Sequence, residues 1–241
     1  MEIAKPDFYP DPDLSREEME ELQVEVGENA VFEDDFDFDI DEVDELFIAG
    51  IDQAFLDDKI VGGVVVMKNG EVIERVHAIE ETPMPYIPGL LVFREGSCAV
   101  TALEKLSVEP DLLMFDGNGR LHYRQAGIAT HIGLLFDVPC IGVAKKLLCG
   151  EPVRDTSKLE EGEKVPIKPG NRMNVEDQKV GYAYQTRQFD SKRINPVYVS
   201  SGHGISAETG VEIVDKTLGG YKLPEPTRLA DKYVDGLKKN Q

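Results

Sequence analysis

The sequence has few cysteines, few bases in its first quarter and no long apolar segment. It contains three cysteines, an odd number without metal-ligand spacing, which we interpret as small buried side chains in the reducing cytoplasm. The longest apolar stretch, 126–144, is interrupted by His131, Asp137 and Pro139, which argues against a transmembrane helix. The acidic N-terminus does not resemble a signal peptide. A disulfide scaffold and a membrane protein are therefore disfavoured, and we expect a cytoplasmic protein.

Acidic residues are in large excess, but the excess is local. The chain has 46 acidic and 26 basic side chains, a net charge of −20. Residues 1–58 hold 22 of the acids and two of the bases, so residues 59–241 hold 24 of each (46 − 22 and 26 − 2). An acidic protein ordinarily repels nucleic acid. Because the remainder of the chain is balanced, local basic clusters can still line a groove, and the charge does not exclude a nucleic-acid partner.

The first 45 residues predict a helix and an acidic connector. Ser15 and Glu18 form an S-x-x-E capping box, which marks the start of a helix. In the segment 33–45, nine of thirteen residues are acidic. A nucleic-acid mimic or a cation-binding loop could have this composition, but we favour a solvated connector outside the catalytic machinery. We therefore divide the chain into residues 1–45, packed on or leading into the domain, and the domain itself over 46–241.

From residue 46 onward the apolar spacing becomes that of strands. It predicts a strand over 46–55 and a hairpin whose strands, 59–70 and 71–80, are joined at Asn69-Gly70. The other expected elements are a helix over 90–107, a strand over 111–116, a helix over 123–136, a strand over 139–144, a loop over 150–177, strands near 178–187 and 195–200, a helix near 206–218 and a helix from Thr227 to about Lys238. Three meander-like strands followed by strand–helix–strand units predict a single α/β domain with a mixed sheet flanked by helices.

The segment from Leu112 to Lys146 is the clearest candidate for a functional site. One apolar run ends in Asp116, with glycine at two of the next three positions, and a second run, 138–144, ends in Lys145. Glycines directly after a buried strand indicate that backbone approaches a ligand closely. Ligands of strand–helix–strand units collect at the carboxyl ends of the strands. An acid at one strand end and a base at the next therefore predict an active site.

Three carboxylates in different elements could share a metal ion. Asp52, Glu95 and Asp116 are distant in sequence and stand at or near the ends of predicted elements. Carboxylates gathered by a sheet are typical of sites for Mg²⁺ or Mn²⁺, because these hard cations prefer oxygen ligands. Such ions activate water and stabilise the leaving oxygen in phosphate chemistry. A lone Asp in a strand can simply cap a neighbour, but the three acids and the glycines together predict a divalent-cation site.

Basic and imidazole side chains near this site would neutralise a phosphate. Lys145 directly follows a strand, and His203 is expected in a loop between a strand and a helix, where a histidine is more often functional than in a core. His122 is expected at the start of the helix over 123–136. His131, in the middle of that helix, is interpreted as a structural histidine.

The segment PYIPG at 85–89 predicts a stiff loop. Two prolines flank Tyr86 and Ile87, so an aromatic and an apolar side chain are presented in a fixed position. Proteins insert wedges of this kind between stacked bases, and the extruded base then needs a pocket. The alternative is a rigid corner with Tyr86 packed inside. The residues of the loop alone leave both possibilities open.

Taken together, these segments resemble the endonuclease V family, the deoxyinosine-specific repair nucleases. The resemblance rests on IAGIDQAF, PYIPGLLVFRE, LLMFDGNGRLH, GIATHIGLLFDVPCIGVAKKLL, YVSSGHGIS and LPEPTRLAD, in the family's order over roughly residues 10–237. It implies a ribonuclease-H-like fold and metal-dependent nicking of inosine-containing DNA. The implied cut is at the second phosphodiester bond 3′ to the lesion, leaving 3′-hydroxyl and 5′-phosphate ends. The sequence departs from the family's pattern at Tyr123, where proline is usual, and at Ser201 and Gly204 beside His203.

The resemblance also implies roles for individual residues. Asp52, Glu95 and Asp116 correspond to the metal carboxylates, and Tyr86, with Ile87 and Pro88, to the wedge. His122, Lys145 and His203 fall on catalytic or substrate-contacting positions. The positions implied around a pocket for the flipped hypoxanthine are Gly89, Leu91, Gly117, Gly127, Ala144 and Leu148.

The sequence leaves one alternative function open and disfavours two others. An enzyme of the same fold that acts on inosine in RNA stays open, since no reader of a 2′-hydroxyl is identifiable. A binding protein that recognises deaminated bases without cutting is disfavoured by the presence of all three acids. A dinucleotide-binding enzyme is disfavoured because no GxGxxG follows a first strand. We expect a monomer that uses Mg²⁺, or Mn²⁺ in its place.

Overall fold

A nine-stranded mixed sheet organises the chain. The computed structural model describes residues 1–173, 175, 179–188, 191 and 193–239. The strands are β1 (Ile48–Leu56), β2 (Lys59–Lys68), β3 (Glu71–Glu81), β4 (Leu112–Phe115), β5 (Cys140–Ala144), β6 (Glu151–Pro152), β7 (Lys164–Lys168), β8 (Gly181–Tyr184) and β9 (Val197–His203). The helices are α1 (Arg16–Asn29), α2 (Leu91–Glu104), α3 (Ile128–Phe136), α4 (Ala207–Lys216) and α5 (Glu225–Lys239), with short 3-10 turns at Pro6–Phe8 and Ile40–Glu45.

The sheet has a parallel centre and antiparallel flanks. Its strand order is β3-β2-β1-β4-β5-β9-β8-β7-β6, in which β1, β4 and β5 run parallel and the other neighbours are antiparallel. The carboxyl ends of β1, β4 and β5 therefore lie toward one edge, where ligands of such sheets are bound. This arrangement confirms the predicted α/β class and mixed sheet.

Glycines in β2 let two helices approach the sheet from opposite faces. A side chain at Gly62 would meet the backbone of Cys98 in α2, and one at Gly63 would meet Tyr233 and Val234 in α5. Because neighbouring residues of a strand face opposite sides, α2 and α5 cover opposite faces. The apolar core under α2 contains Phe93, Leu103 and Phe115.

The predicted hairpin is confirmed, and its turn has the backbone that the sequence requires. Asn69 and Gly70 both have positive φ angles, 53° and 73°, the conformation of the two central residues of a type I′ turn.

Among the described residues, every helix is too short or too polar to cross a bilayer.

Two predicted elements are wrong in part. The helix expected over 123–136 begins only at Ile128, because Gly127 is its N-cap and Gln125 has a left-handed φ of 58°. The loop expected over 150–177 contains β6 and β7. In β7 the apolar residues Val165 and Ile167 are buried between lysines and a proline, so the alternation of a strand is present but short.

The remaining predicted elements are confirmed with shifted ends. The helix predicted over 90–107 is α2, the strand near 195–200 is β9 and extends to His203, and the last two helices are α4 and α5. The strand predicted near 178–187 is β8 in its described part; residues 176–178 lie outside the described residues.

The acidic connector keeps its carboxylates exposed, as expected of a solvated segment, but is attached to the domain by a few side chains. Asp34 accepts hydrogen bonds from the Ser206 backbone and the Thr209 hydroxyl, both at 2.7 Å, at the N-terminus of α4. Phe36 and Phe38 stack with ring centroids 4.0 Å apart and pack against the core under α4. A carboxylate at a helix N-terminus satisfies free backbone N–H groups and interacts favourably with the helix dipole.

We expect Asp34→Ala to lower the free energy of unfolding by about 1 kcal/mol, because the N-terminus of α4 loses an acceptor. Thermal or urea unfolding measures this. Asp37→Ala, on an exposed carboxylate of the same connector, is the matched control and should melt like the parent chain. Equal stability of all three proteins would contradict the capping role.

Candidate active site

Three aspartates meet at the carboxyl edge of the central strands. Asp52 lies in β1 opposite Gly63 of β2, so its side chain shares the face of the sheet that α5 covers. Asp116 follows β4, and its backbone N–H donates to the carbonyl of Ile51 at 2.9 Å. Asp231 is on α5. Carboxylate oxygens of the three aspartates all lie within 4.8 Å of one another.

Lys145 completes this acidic cluster. It directly follows β5, and its ammonium lies 2.6 Å from Asp116 Oδ2 and 2.9 Å from Asp231 Oδ1. The structure thereby brings together the predicted Asp52, Asp116 and Lys145. The ammonium offsets part of the repulsion among three carboxylates held at close range.

Burial strongly perturbs the titration of these groups. Burial and the neighbouring Asp116 raise the pKa of Asp52 to about 8, and burial raises the pKa of Asp116 although Lys145 opposes it. Burial alone would lower the pKa of Lys145, but its contacts with Asp116 and Asp231 outweigh burial and raise it. Such shifts are typical of functional sites.

The residues of the cluster fit a divalent cation. Asp116 is buried, and within the cluster the Lys145 ammonium, 2.6 Å from its Oδ2, compensates its charge. One ammonium offsets only part of the charge of three carboxylates at close range, which leaves the cluster favourable for a further cation. Three carboxylates with mutually close oxygens are the donor set that Mg²⁺ and Mn²⁺ prefer.

Glu95 is not among the acids of this cluster in the described structure. It is buried on α2, the helix on the opposite face of the sheet from α5. Burial raises its pKa to about 7, with Arg94 opposing the shift. Its assignment as a metal ligand stays a prediction.

His203 does not lie at the edge of the sheet that carries the acidic cluster. It is the last residue of β9, in register with Cys140 at the start of β5, and therefore lies at the opposite edge of the sheet from Lys145. Its Nδ1 accepts the backbone N–H of Val31 at 3.2 Å, and its Nε2 lies 3.0 Å from Asp137 Oδ1. Burial lowers its pKa. The expectation that His203 positions water or charge at the metal site is thus without geometric support, and the residue ties the connector to the sheet.

One cavity is lined by many of the residues predicted for base binding. Those it shares with the prediction are Tyr86, Gly89, Leu91, His122, Gly127 and Leu148. Gln23, Val92, Asn118, Ala126 and Ile128 complete its lining. We refer to this space as the base cavity. Two of its lining residues are close in sequence to the acidic cluster: Asn118 comes two residues after Asp116, and Leu148 three residues after Lys145.

His122 shapes the base cavity from a turn and not from a helix, which corrects its expected position. Its Nε2 donates to the carbonyl of Gly89 at 3.1 Å, because its Nδ1 accepts the backbone N–H of Arg124 at 3.3 Å. Burial lowers its pKa to about 4, so the ring is neutral near pH 7. His131, predicted to be structural, is fully buried and contacts the carbonyl of Phe8.

The other predicted substrate-contacting residues lie outside the cavity lining. Ile87 packs against the core under α2, and Gly117 faces Ile128, which a side chain at 117 would meet at 2.7 Å. Ala144 is buried at the end of β5. Pro88 lies in the loop between Tyr86 and Gly89. Their roles toward substrate stay predictions.

Sequence reasoning missed Asp231 and Gln23. Asp231 lies in the segment LPEPTRLAD, which contributes to the resemblance, but the sequence gives it no role of its own. Gln23 is buried on α1, which a glutamine in that pattern does not indicate.

The comparisons with known proteins give the family of the chain. The family model described as Endonuclease V matches residues 31–232. Endonuclease V of Natronomonas pharaonis is 56% identical over 99% of this chain and 98% of its own length. The crystal structure of endonuclease V from Bacillus subtilis has a TM-score of 0.82 at 29% identity, covering 100% of this chain and 98% of that one. A Ciona intestinalis endonuclease V, in complex with a 24mer DNA containing an inosine followed by a ribo-adenosine, shares the fold with a TM-score of 0.76 at 24% identity, over 93% of this chain and 98% of that one.

The match with the family model covers most of the chain, and the Natronomonas relative aligns over nearly all of it. Asp52, Asp116, Asp231 and Lys145 lie within the matched residues, and so does the lining of the base cavity apart from Gln23. The chain belongs to the endonuclease V family.

Proposed function

We propose that this enzyme nicks DNA at deoxyinosine, hydrolysing the second phosphodiester bond 3′ to the lesion and leaving 3′-hydroxyl and 5′-phosphate ends. The observation that carries the proposal is the cluster of Asp52, Asp116 and Asp231, with oxygens within 4.8 Å of one another, in a chain of this family. Phosphodiester hydrolysis needs concentrated positive charge at the phosphate, and the cluster is a site where a cation can supply it.

The three aspartates would hold Mg²⁺, or Mn²⁺ in its place. A cation bound there supplies Lewis acidity and charge to the phosphate. Lys145 is already in contact with Asp116 and Asp231. At this edge of the sheet the ammonium would add positive charge beside the anionic phosphate oxygens.

The base cavity is a second argument for the proposal, because it offers a place for an extruded hypoxanthine. A base inside a duplex cannot reach such a site unless it leaves the stack. Tyr86 is 59% exposed at the cavity rim, and the Arg94 guanidinium lies 6.0 Å from its ring centroid. This exposure argues against a tyrosine packed inside a rigid corner, and we assign Tyr86 as the wedge that fills the gap left by the base.

The edges of the sheet support action as a monomer. The edge strand β3 carries Glu71, Glu74 and Arg75 among its residues, and the opposite edge strand, β6, has only two residues and ends in Pro152. Charged and very short edge strands discourage pairing with a second chain.

One assay tests the function. DNA and RNA strands labelled at one end, with inosine or adenine at one position, are incubated with Mg²⁺ or with EDTA, and the cut is mapped. We expect one cut, on inosine DNA with Mg²⁺ only, at the second phosphodiester bond 3′ to inosine. Cutting of RNA in preference to DNA would change the assigned substrate, and absence of any Mg²⁺-dependent cut would overturn the proposal.

We expect Tyr86→Ala to lower the preference for inosine over adenine DNA more than it lowers general DNA affinity, because unstacking costs a few kcal/mol that the wedge offsets. Nicking rates and filter-binding affinities on both DNAs measure this. Ile73→Ala, which also removes an exposed apolar side chain, is the control and should retain both. A Tyr86→Ala protein that keeps its lesion preference and only melts lower would show that Tyr86 is a structural residue.

A further inference from the structure

Gln23 is a buried polar side chain that lines the base cavity. It lies on α1, is 1% exposed and comes from a part of the chain far from the strands that carry the acids. The helix approaches the cavity wall closely, since a side chain at Gly27 would overlap the carbonyl of Arg124. Burying a carboxamide is unfavourable unless its polar atoms are hydrogen-bonded, so the partners of Gln23 define what it can offer a ligand.

Arg124 fixes the orientation of the Gln23 carboxamide. Its Nη1 donates to Gln23 Oε1 at 3.1 Å, and its Nη2 pairs with Glu20 on the same helix at 2.6 Å. Because a guanidinium can only donate, the amide oxygen must face Arg124 and the amide nitrogen must face away. That nitrogen donates to the carbonyl of Ala126 at 3.4 Å. An amide nitrogen has two N–H bonds, and within the described residues the second has no acceptor.

A second polar group in the same cavity lacks a partner. Asn118 Oδ1 is buried and accepts no hydrogen bond from the described residues, although Asn118 also lines the cavity. Two residues of the cavity lining therefore have unused hydrogen-bonding capacity, a donor on Gln23 and an acceptor on Asn118. A ligand with an acceptor beside a donor would satisfy both.

We infer that Gln23 is a specificity-determining residue, whose free N–H donates to the 6-oxo group of the extruded hypoxanthine while the N1–H of the base faces Asn118 Oδ1. The inference deepens the proposed function and rests on it. Adenine has an amino donor at position 6 and an acceptor at N1, so both contacts would become mismatched. A closed site strongly rejects a ligand that leaves its polar groups unpaired or places like groups against them.

The test pairs a change in the protein with a change in the base. Wild type, Gln23→Met and Glu20→Gln are compared by kcat/KM on DNA with deoxyinosine and on DNA with deoxynebularine, a purine that has hydrogen in place of the 6-oxo group. Wild type should prefer inosine at least tenfold. Gln23→Met should reduce that preference by roughly tenfold, the effect of one neutral hydrogen bond. Glu20→Gln loosens the attachment of Arg124 but leaves the amide contacts, and should keep the preference.

Gln23→Glu offers only acceptors as a carboxylate, so it should lose the inosine preference, and it should also melt lower because one oxygen would face the carbonyl of Ala126. Gln23→Met, which buries no charge, guards against a folding defect, since it should lose preference while it still unfolds cooperatively and nicks inosine DNA. If both Gln23 variants retain the wild-type preference, or if wild type does not discriminate inosine from nebularine, the inference is wrong. If wild type fails to nick inosine DNA at all, the proposed function itself fails.

Discussion

Replacing Asp52 with asparagine is expected to lower the nicking rate on the order of a thousandfold and, in EDTA, to raise the melting temperature. The loss of rate follows from the loss of a carboxylate ligand, since the cation contributes several kcal/mol to the reaction. The gain in stability follows from the environment of Asp52. Its carboxylate is buried against Asp116 and is costly in the folded protein when no cation is bound.

The gain in stability should depend on pH. The pKa of Asp52 is about 8 in the folded chain, above its ordinary value of 3.8. The folded state thus holds this proton more tightly than the unfolded state, and the contribution of Asp52 to stability is lost as pH rises from about 4 to about 8. Asparagine stays neutral at every pH, so the Asp52→Asn protein does not lose this stability. The difference in the free energy of unfolding is on the order of a few kcal/mol at pH 8.5.

Melting temperatures at pH 5 and pH 8.5 in EDTA, with nicking rates in Mg²⁺, measure both effects. Asp57→Asn changes an exposed aspartate just beyond β1 and should alter neither quantity. Wild-type nicking by Asp52→Asn in Mg²⁺ would rule out the metal site. A melting-temperature gain of the same size at both pH values would contradict the electrostatic explanation.

The second large effect is expected from Gly50→Ala. Gly50 lies in β1, and a side chain there would overlap the carbonyl of Pro226 and lie 2.7 Å from the backbone nitrogen of Thr227, both in α5. Backbone atoms cannot rotate away as a flexible side chain can, so α5 must move off the strand. Overpacking of this kind costs up to about 3 kcal/mol. Because α5 carries Asp231, the same movement should also abolish Mg²⁺-dependent nicking.

Unfolding curves with and without Mg²⁺ test this expectation, since wild type should gain stability from the cation by mass action and Gly50→Ala should not. Gly236→Ala is the matched control on the same helix. A side chain at 236 meets no atom within 4 Å, and alanine is the better helix former by up to about 1 kcal/mol. It should be as active as wild type and slightly more stable. Normal Mg²⁺ stabilisation of Gly50→Ala would show that the close approach at Gly50 does not position Asp231.

The parts of the site that follow directly from parallel strands were predictable. Asp116 and Lys145 come immediately after β4 and β5, and an apolar run that ends in a charge marks such a position in the sequence. Asp52 was predicted as an acid near the end of an element, whereas it lies in the middle of β1. Asp231 was not predicted, because it lies on a helix whose exposed face is rich in charges, where nothing in the spacing separates a ligand from a surface residue.

His203 shows a different limit. A histidine between a strand and a helix is a reasonable functional candidate, but the direction of β9 decides which edge of the sheet it occupies. β9 is antiparallel to β5, and strand direction depends on pairing between distant segments, which local periodicity does not encode. The late start of α3 has a related cause, since the turns around His122 are held by contacts with Gly89 in another segment.

The three aspartates come from elements that are distant in sequence, so the acidic cluster forms only when these elements have folded together. Asp52 comes from β1, Asp116 from the end of β4 and Asp231 from α5, which is the last helix to join the sheet in chain order. Contacts between segments so distant in sequence form only after the loops between them have closed. A partly folded chain without α5 in place has at most two of the acids and so lacks a complete cation site. If the three aspartates form the proposed cation site, the chain would cut DNA only when it is fully folded, and DNA would be protected from its folding intermediates.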